Sequence, residues 1–182
     1  MKQVSRYLAR ILRHDPRAGA LILDNAGWAP AEAVIEAVAR RFGHFDRAAL
    51  EDLVRTNDKQ RYAFDETGTR IRANQGHSIP VDLGLEPVEP PPLLFHGTKR
   101  SALPLILREG LRPGRRRHVH LSADIGTARS VGDRRSGETA ILTVRSGAMH
   151  GHLFFRSANG VWLIEHVPPQ FITAEGFSIP PR

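Results

Sequence analysis

The stretch Arg70-Ile-Arg-Ala-Asn-Gln-Gly-His-Ser78 joins the pattern of a short strand to a run of polar side chains. Arg70 and Arg72 are two positions apart, so on a strand both point to one face. Ile71 and Ala73 then point to the opposite face, as a half-buried strand requires. The stretch therefore predicts a strand with one apolar face and one cationic face.

The polar residues of this stretch predict a binding site for an anionic, oxygen-rich molecule. The planar guanidinium of Arg72 can hold a phosphate through two parallel hydrogen bonds. Amide, imidazole and hydroxyl groups follow closely, at Gln75, His77 and Ser78. A solvated strand followed by a polar turn is the alternative, and this stretch alone does not decide between the two.

Three helices followed by a hairpin are predicted around this stretch. Apolar residues recur at helical spacing in each helix, and strand-forming residues flank the hairpin turn. The first helix is predicted with Ser5 as its N-cap and Pro16 as its stop, the second from about Ala31 to Arg41, the third from its cap Asp46 to Asn57, and the strands from Arg61 to Asp65 and from Thr69 to Ala73. This order is typical of a winged helix-turn-helix, which commonly binds nucleic acid but does not by itself establish a function.

The first helix carries a stripe of four arginines, Arg6, Arg10, Arg13 and Arg17, and His14 follows the third of them. Residues three or four apart are neighbours on a helix, and like charges in such positions repel one another. The stripe indicates either a face that binds an anion or, as is more usual for charged stripes, a solvated face.

Residues 81–92 are predicted to form an extended linker, because the prolines at 87 and 90–92 are incompatible with helix or central strand. We therefore predict two domains, residues 1–80 and 93–182. The second begins with a short buried strand, residues 93–95, which leads into a polar turn at His96-Gly-Thr98. Gly97 would let a ligand approach the backbone closely, although a turn without a ligand is the alternative. Many short strands and two helices indicate a compact α+β domain.

The net charge of the chain and its distribution indicate which class of molecule the protein binds. The chain has 182 residues and a net charge of +7. Residues 1–89 hold 13 basic and 13 acidic residues, whereas residues 90–182 hold 13 and 6, so the positive excess lies in the second half. A basic half favours nucleic acid or a phosphorylated substrate.

Composition also excludes several classes of site. The chain has no cysteine, so it has neither disulfides nor thiolate metal ligands. The pairs His118/His120 and His150/His152 would suit zinc on a strand, but no metal-binding helix pattern accompanies them, and we predict no metal site. Neither a membrane-spanning run nor a secretory leader is present, so we expect a cytoplasmic protein without membrane contact. We also expect a monomer with no obligate protein partner.

Five ordered motifs resemble those of the NAD-dependent RNA 2'-phosphotransferases. They are Leu-Arg-His14, Arg-Ile-Arg-Ala-Asn-Gln-Gly-His-Ser78, Leu-Phe-His-Gly-Thr98, Val-His-Leu-Ser122 and Val-Gly-Asp-Arg134. The resemblance implies an α+β fold with a winged-helix lobe, an ADP-ribosyltransferase-like lobe and an active site in the cleft between them. It also implies the removal of an internal RNA 2'-phosphate, as at a tRNA splice junction, by transfer to ADP-ribose. The products would be RNA with a free 2'-OH, nicotinamide and ADP-ribose 1'',2''-cyclic phosphate.

The resemblance also implies roles for individual residues. The catalytic set of the family matches Arg13, His14, Arg72 and Arg134. Its NAD-binding positions match His96, Gly97, Thr98, His120, Leu121 and Ser122. The substrate cleft is expected to be lined by Arg70, Gln75, His77, Ser78 and Arg135.

Two departures from the family pattern matter. Phe95 stands where the family usually has a tyrosine, and the loop after Asp133 reads Arg134-Arg-Ser-Gly137 instead of Arg-His-Gly. Arg134 and Arg135 therefore both remain candidates for the fourth catalytic position. Two other functions stay open at this point: an ADP-ribosyltransferase that marks nucleic-acid ends or protein, and a non-catalytic winged-helix module that binds nucleic acid.

Overall fold

The computed structural model describes residues 2–134 and 136–175. The chain divides into two compact units, Met1–Leu85 and Glu86–Arg182, called unit 1 and unit 2 below. The division falls inside the segment 81–92 for which the sequence predicts a linker. Each unit combines helices with small antiparallel sheets around an apolar core of its own, which confirms the predicted α+β class.

Unit 1 packs three helices against a three-stranded sheet. The elements are α1 (Lys2–Arg13), β1 (Ala29–Pro30), α2 (Ala31–Phe42), α3 (Arg47–Arg55), β2 (Tyr62–Phe64) and β3 (Arg70–Ala73), with a 3-10 turn at Pro16–Gly19. The sheet order is β1-β3-β2, and all pairings are antiparallel. Ile71 in β3 pairs with Ala29 on one side and with Phe64 on the other. The strand predicted at residues 70–73 is therefore the central strand of the sheet.

The first helix follows its apolar pattern but begins earlier than predicted. Its predicted apolar positions are all buried: Val4, Tyr7, Leu8, Ile11 and Leu12. The helix begins at Lys2, so the prediction that Ser5 caps it is wrong. Val4 reaches the core only if its turn is already helical, and the carbonyl of Ser5 accepts a hydrogen bond from Tyr62 Oη at 2.9 Å. Packing against the sheet thus overrides the local capping preference.

The third helix begins as its cap predicts. Asp46 Oδ1 accepts a hydrogen bond from the backbone N–H of Ala49 at 2.9 Å, one of the N–H groups that an uncapped helix would leave unpaired. Leu50 and Leu53 then lie on the buried side of the helix. The predicted cap at Asp46 is confirmed.

The described residues of unit 2 form two three-stranded antiparallel sheets and two α-helices. The elements are β4 (Leu94–Lys99), α4 (Leu103–Glu109), β5 (Val119–Leu121), α5 (Ile125–Gly132), β6 (Thr139–Val144), β7 (Phe155–Arg156), β8 (Trp162–Ile164) and β9 (Ile172–Ala174). One sheet has the order β4-β6-β9 and the other the order β5-β8-β7. Phe95 and Ser122 exchange both of their backbone N–H···O hydrogen bonds, each 2.8 Å long, and so join the two sheets.

The first strand of unit 2 is longer than its apolar run. The prediction of a strand at 93–95 followed by a turn at 96–98 is wrong, because β4 continues to Lys99. His96 pairs with Leu142 and Thr98 pairs with Ala140 on β6. The polar residues stay in the strand because a distant strand supplies partners for their backbone groups.

The proline-rich segment is tied to both units at its two ends. The backbone N–H of Asp82 donates to the carbonyl of Asn25 in unit 1, and the N–H of Val88 donates to the carbonyl of Phe154 in unit 2, each at 2.8 Å. Pro87 forms an isolated bridge with Phe155. Among residues 2–134 and 136–175, no helix has the length and apolar content needed to cross a bilayer.

Candidate functional site

In unit 1, the end of α1 meets the end of the 70–78 stretch. The carbonyl of Arg13 accepts a hydrogen bond from the backbone N–H of Ser78 at 2.9 Å. His14 Nδ1 and Ser78 Oγ are also 2.9 Å apart, and both residues are exposed. The fold therefore brings together two residues of the predicted catalytic set with one residue of the predicted cleft, although they are 64 positions apart in the chain.

Arg13 is a cation held in place by its surroundings. Only 8% of the residue is exposed, and its Nη2 donates to the carbonyl of Arg61 at 3.4 Å. Its guanidinium carbon lies 5.9 Å from the centre of the Tyr62 ring. Gly76 has a φ of +90°, and a Cβ there would lie 3.6 Å from Nη1 of Arg13. The turn after β3 thus passes directly beside the guanidinium.

Arg72 is held by an aromatic ring and a backbone carbonyl. Its guanidinium carbon lies 4.4 Å from the centre of the Trp28 ring, and its Nη1 donates to the carbonyl of Ala26 at 3.4 Å. Its Nε is buried and has no hydrogen-bond partner within the described part of the chain. Burial lowers the pKa of Arg72, and the nearby carboxylate of Asp24 opposes that shift. An arginine nevertheless stays protonated in proteins, so the site keeps a positive charge.

Arg70 lies on the same face of β3 but is differently paired. Its Nε lies 3.0 Å from Oδ2 of Asp65, and its Nη1 lies 3.3 Å from Oδ2 of Asp24. Its guanidinium carbon is also 5.6 Å from the centre of the Trp28 ring. Two carboxylates therefore compete with any phosphate for Arg70, whereas Arg72 bonds to an uncharged carbonyl. The role of Arg70 in the cleft stays a prediction.

The other residues of the 70–78 stretch, some of which are predicted to line the substrate cleft, differ in exposure. His77 is only 4% exposed, and a Cβ on Gly27 would lie 3.4 Å from its Nε2. The amide of Asn74 donates to the carbonyl of Gln60 at 2.5 Å and so anchors the turn. Gln75 is half-buried and Ser78 is exposed. Ser78 and Gln75 are thus accessible to a ligand, whereas His77 packs inside unit 1.

In unit 2, His96 is oriented by a backbone carbonyl. Its Nδ1 lies 2.9 Å from the carbonyl oxygen of His120, so Nδ1 carries the proton and donates it. Burial and the charge of Arg116 lower the pKa of His96, and the hydrogen bond to His120 opposes them in part. The ring is therefore neutral at pH 7, and its Nε2 is left as a hydrogen-bond acceptor.

His120 has the opposite hydrogen-bonding polarity. Its Nδ1 lies 3.0 Å from Nη1 of Arg116, and a guanidinium has only donors, so this Nδ1 accepts. The proton of the neutral ring then lies on Nε2. His96 and His120 thus offer an acceptor and a donor from neighbouring strands, a combination that suits the hydroxyl groups of a sugar.

The flanking residues of these two motifs have structural roles. Leu121 is 1% exposed and belongs to the core, so its side chain faces away from solvent. Ser122 pairs with Phe95 through its backbone. Thr98 is half-buried on β4. Side chains alternate along a strand, so Thr98 and His96 share one face of β4.

The structure gives Gly97 a packing role, and the approach of a ligand to its backbone stays a prediction. A Cβ at Gly97 would lie 1.8 Å from the carbonyl oxygen of Ala128 and 2.9 Å from the backbone nitrogen of Gly132. Helix α5 therefore fills the space on that face of β4. The residue must be glycine because a helix packs directly on its backbone, while His96 points to the opposite face.

The arginine loop after α5 is described only in part. Arg134 is exposed, and its backbone N–H lies 3.4 Å from the carbonyl of Val131. Arg135 lies outside the described residues. The choice between these two arginines for the fourth catalytic position therefore stays open.

Three residues that contact the candidate site were not predicted from the sequence: Asp24, Trp28 and Arg116. Trp28 follows a glycine just before β1. The glycine indicates a turn, but nothing nearby in the sequence indicates which side chains lie next to Trp28. Its position beside Arg72 follows from the pairing of Ala29 with Ile71, across more than 40 residues. Arg116 precedes His120 by four positions, and only the fold of the intervening loop brings their side chains together.

No group of three or more metal-ligating side chains is arranged to hold a metal ion within the described ranges. The residues that the fold gathers are cations in unit 1 and neutral imidazoles in unit 2. Guanidinium groups bind anions, and neutral imidazoles form hydrogen bonds with hydroxyl groups.

Comparison with known proteins gives a consistent result. A sequence model described as RNA 2'-phosphotransferase, Tpt1 / KptA family, matches residues 1–166. The chain is 47% identical over 172 residues to the "Probable RNA 2'-phosphotransferase" of Trichormus variabilis, which covers 93% of this chain and 94% of that protein. It is 49% identical over 183 residues to the protein of the same name from Streptomyces griseus, with 96% of both chains covered.

A third relative, the "Probable RNA 2'-phosphotransferase" of Agrobacterium fabrum, is 47% identical over 176 residues, which are 96% of this chain and 94% of that protein. The matches cover 93–96% of this chain and therefore span both units. The chain therefore belongs to the RNA 2'-phosphotransferase, Tpt1 / KptA family of transferases.

Proposed function

We propose that this protein removes an internal 2'-phosphate from RNA, of the kind left at a tRNA splice junction, by transferring it to the ADP-ribose portion of NAD. The observation that carries the proposal is Arg72, a half-buried cation held by the ring of Trp28 and the uncharged carbonyl of Ala26. A charge held in this way is available to a dianionic phosphate. Family membership supports the assignment of that anion to a 2'-phosphate of RNA.

Unit 1 would hold the RNA phosphate. Arg13 and Arg72 are both fixed beside aromatic rings, and fixed cations stabilise charge as a phosphoryl group is transferred. His14, which lies 2.9 Å from Ser78, would ligate the phosphate or move a proton. Arg134 or Arg135 would complete the catalytic set.

Unit 2 would hold NAD, and its residues fit that ligand. The Nε2 of His96 would accept a hydrogen bond from a ribose hydroxyl, and the Nε2–H of His120 would donate one. Thr98 on the same face as His96 adds a hydroxyl group. When bound, NAD would supply a ribose carbon that the RNA phosphate attacks as nicotinamide leaves. The neighbouring ribose hydroxyl would then attack the phosphorus, and the bond from phosphorus to the RNA 2'-oxygen would break, giving the cyclic phosphate and RNA with a free 2'-OH. A phosphate is already a nucleophile, so this chemistry needs no further base to activate it.

The proposal assigns unit 1 to the winged-helix class and unit 2 to the ADP-ribosyltransferase-like class. Three helices with a three-stranded sheet support the first assignment, and two small sheets joined at Phe95 and Ser122 support the second. The monomeric state and the cytoplasmic location stay predictions.

The test is an assay with a short RNA that carries a single internal 2'-phosphate. We expect the phosphate to disappear only when NAD is added, with one nicotinamide released for each RNA converted. The matched control is the same RNA with a 2'-OH, which should release no nicotinamide. Loss of phosphate without NAD, or no turnover with it, would contradict the proposal.

The same assay separates the two alternatives. An enzyme that stops after the first step would accumulate RNA joined to ADP-ribose, visible as a shift in mass. A module without catalysis would bind the RNA and leave NAD intact. The arginine-rich site of unit 1 favours the complete reaction, because an enzyme that modifies protein has no need for a phosphate pocket.

A further inference from the structure

We propose that the turn Asp24–Trp28 is a positioning element for Arg72, and that Trp28 fixes the guanidinium of Arg72 without cancelling its charge. The inference rests on the proposed function, since it concerns the cation assigned to the RNA phosphate. It adds Trp28 and Asp24 to the residues on which the phosphate site depends.

The turn is closed by four hydrogen bonds. Asp24 Oδ1 accepts from the backbone N–H groups of Ala26 and Trp28, both at 2.9 Å. The carbonyl of Asp24 accepts from the N–H of Gly27 at 2.9 Å, and the N–H of Asp24 donates to the carbonyl of Trp28 at 3.0 Å. A short aspartate side chain that binds backbone groups two and four residues on restricts the turn to a single conformation.

The turn is also supported from behind. Gly27 has a φ of +81°, and a Cβ there would lie 2.9 Å from a methyl group of Val81. Val81 is 6% exposed and His77 is 4% exposed, so both form a packed surface beneath the turn. Neither the backbone conformation nor the available space allows a larger residue at Gly27. The Trp28 ring is therefore presented from a rigid base.

Arg70 and Arg72 both lie beside the Trp28 ring, but only Arg70 is paired with carboxylates. Arg70 is 5.6 Å from the ring centre and is also bound to Oδ2 of Asp24 and to Asp65. Arg72 is closer, at 4.4 Å, and its hydrogen bond to this turn goes to the uncharged carbonyl of Ala26. The same turn thus forms an ion pair with Arg70 but contacts Arg72 through a carbonyl and an aromatic ring.

An aromatic face suits this purpose better than a carboxylate. A carboxylate would hold the guanidinium firmly but would compete with phosphate for the same N–H groups. A ring attracts the cation through its π face and does not compete with a ligand for the N–H donors, which lie along the edge of the guanidinium. We infer that Trp28 keeps the donors of Arg72 directed at the phosphate.

The test compares Trp28→Phe and Trp28→Leu with a matched control, Phe64→Leu. Phe64 lies in the same sheet, on β2, and its ring centre is 4.8 Å from the guanidinium carbon of Arg47, so the control also removes an arginine–aromatic contact. We expect Trp28→Leu to lower kcat on the 2'-phosphorylated RNA by about tenfold, as loss of a partly desolvated cation–π contact implies. Trp28→Phe should keep most of the rate, and Phe64→Leu should keep nearly all of it.

The readouts separate positioning from stability. The KM for NAD should be unchanged in all three variants, and assays run well below each midpoint of thermal unfolding remove the contribution of unfolded protein. A Trp28→Leu enzyme that is folded and as active as Phe64→Leu would overturn the inference. So would a Trp28→Phe enzyme that is as impaired as Trp28→Leu. An inactive wild-type protein would instead overturn the proposed function, so the two failures are distinguishable.

Discussion

Unit 1 and unit 2 fix their polar side chains in opposite ways. In unit 1, Arg13 and Arg72 keep a full positive charge and are held beside aromatic rings. In unit 2, His96 is held by a hydrogen bond to a carbonyl and is kept neutral by burial. The first arrangement suits an anion and the second suits hydroxyl groups. The contrast shows that one chain can form sites for two chemically different ligands by keeping some polar side chains charged and others neutral.

The largest expected effect is the loss of a fixed cation from unit 1. Arg72→Ala and Arg13→Ala should each lower kcat/KM at least about 100-fold, because each removes a charge that stabilises the transferred phosphoryl group. The measurement is steady-state turnover of the 2'-phosphorylated RNA. Arg55→Ala is the control, since Arg55 is an exposed arginine at the end of α3 in the same unit. Rates near those of the control would show that the wrong arginines were assigned.

A smaller loss, of stability rather than of rate, is expected at the strand that carries the imidazole of unit 2. Gly97→Ala should lower the free energy of unfolding by about 2 kcal/mol, because the new methyl group meets the backbone of α5, which cannot move aside like a side chain. Thermal or denaturant unfolding measures the change. Gly126→Ala, inside α5 itself, is the control and should be neutral or slightly stabilising. Equal stability of the two variants would contradict the packing described for Gly97.

The next effect separates the two sites by substrate. His96→Ala should raise the KM for NAD by about tenfold, the usual cost of one or two uncharged hydrogen bonds, and leave the KM for RNA unchanged. His150→Ala, an exposed histidine of the same unit, is the control. An equal rise in both KM values would mean that the two units do not divide the substrates as proposed.

The smallest expected effect is a dependence of stability on pH that arises from two histidines of unit 2. The pKa of His96 and that of His118 are both lowered by burial from an ordinary value of 6.5. Between pH 6.5 and the lowered pKa, the unfolded chain binds more protons than the folded chain. The stabilising contribution of the neutral histidine is therefore fully present above pH 6.5 and is lost as the pH decreases through this range. Unfolding of the wild type and of a His96→Gln variant, measured from pH 8 to pH 5, should show a weaker pH dependence in the variant. Identical profiles would contradict a lowered pKa for His96.

The local elements of unit 1 were predictable because short-range signals specify them. The apolar spacing of α1, the cap at Asp46 and the alternation of the 70–73 strand each depend on residues within one or two turns. All three predictions are confirmed. The start of α1 was missed because packing against Tyr62, far along the chain, extends the helix past its apparent cap.

The features that were missed depend on distant partners. The sequence around His96 reads as a turn, and only pairing with β6 makes it a strand. Gly97 was assigned to ligand approach, since nothing nearby in the sequence shows that α5 covers it. Trp28 gave no functional signal because it contacts Arg72 only through the pairing of the next residue, Ala29, with β3. The sequence thus predicted which polar residues belong to the candidate site, but not which residues contact them in the fold.

The pairing of Phe95 with Ser122, which joins the two sheets of unit 2, is made of main-chain atoms. Phe95 and Ser122 each contribute one N–H and one carbonyl, and neither side chain takes part. Phenylalanine at position 95, where the family resemblance predicts tyrosine, therefore leaves the junction unaltered. A substitution that changes only one of these two side chains is therefore expected to keep the pairing, whereas a proline or an ester linkage at either position would remove one of its N–H donors.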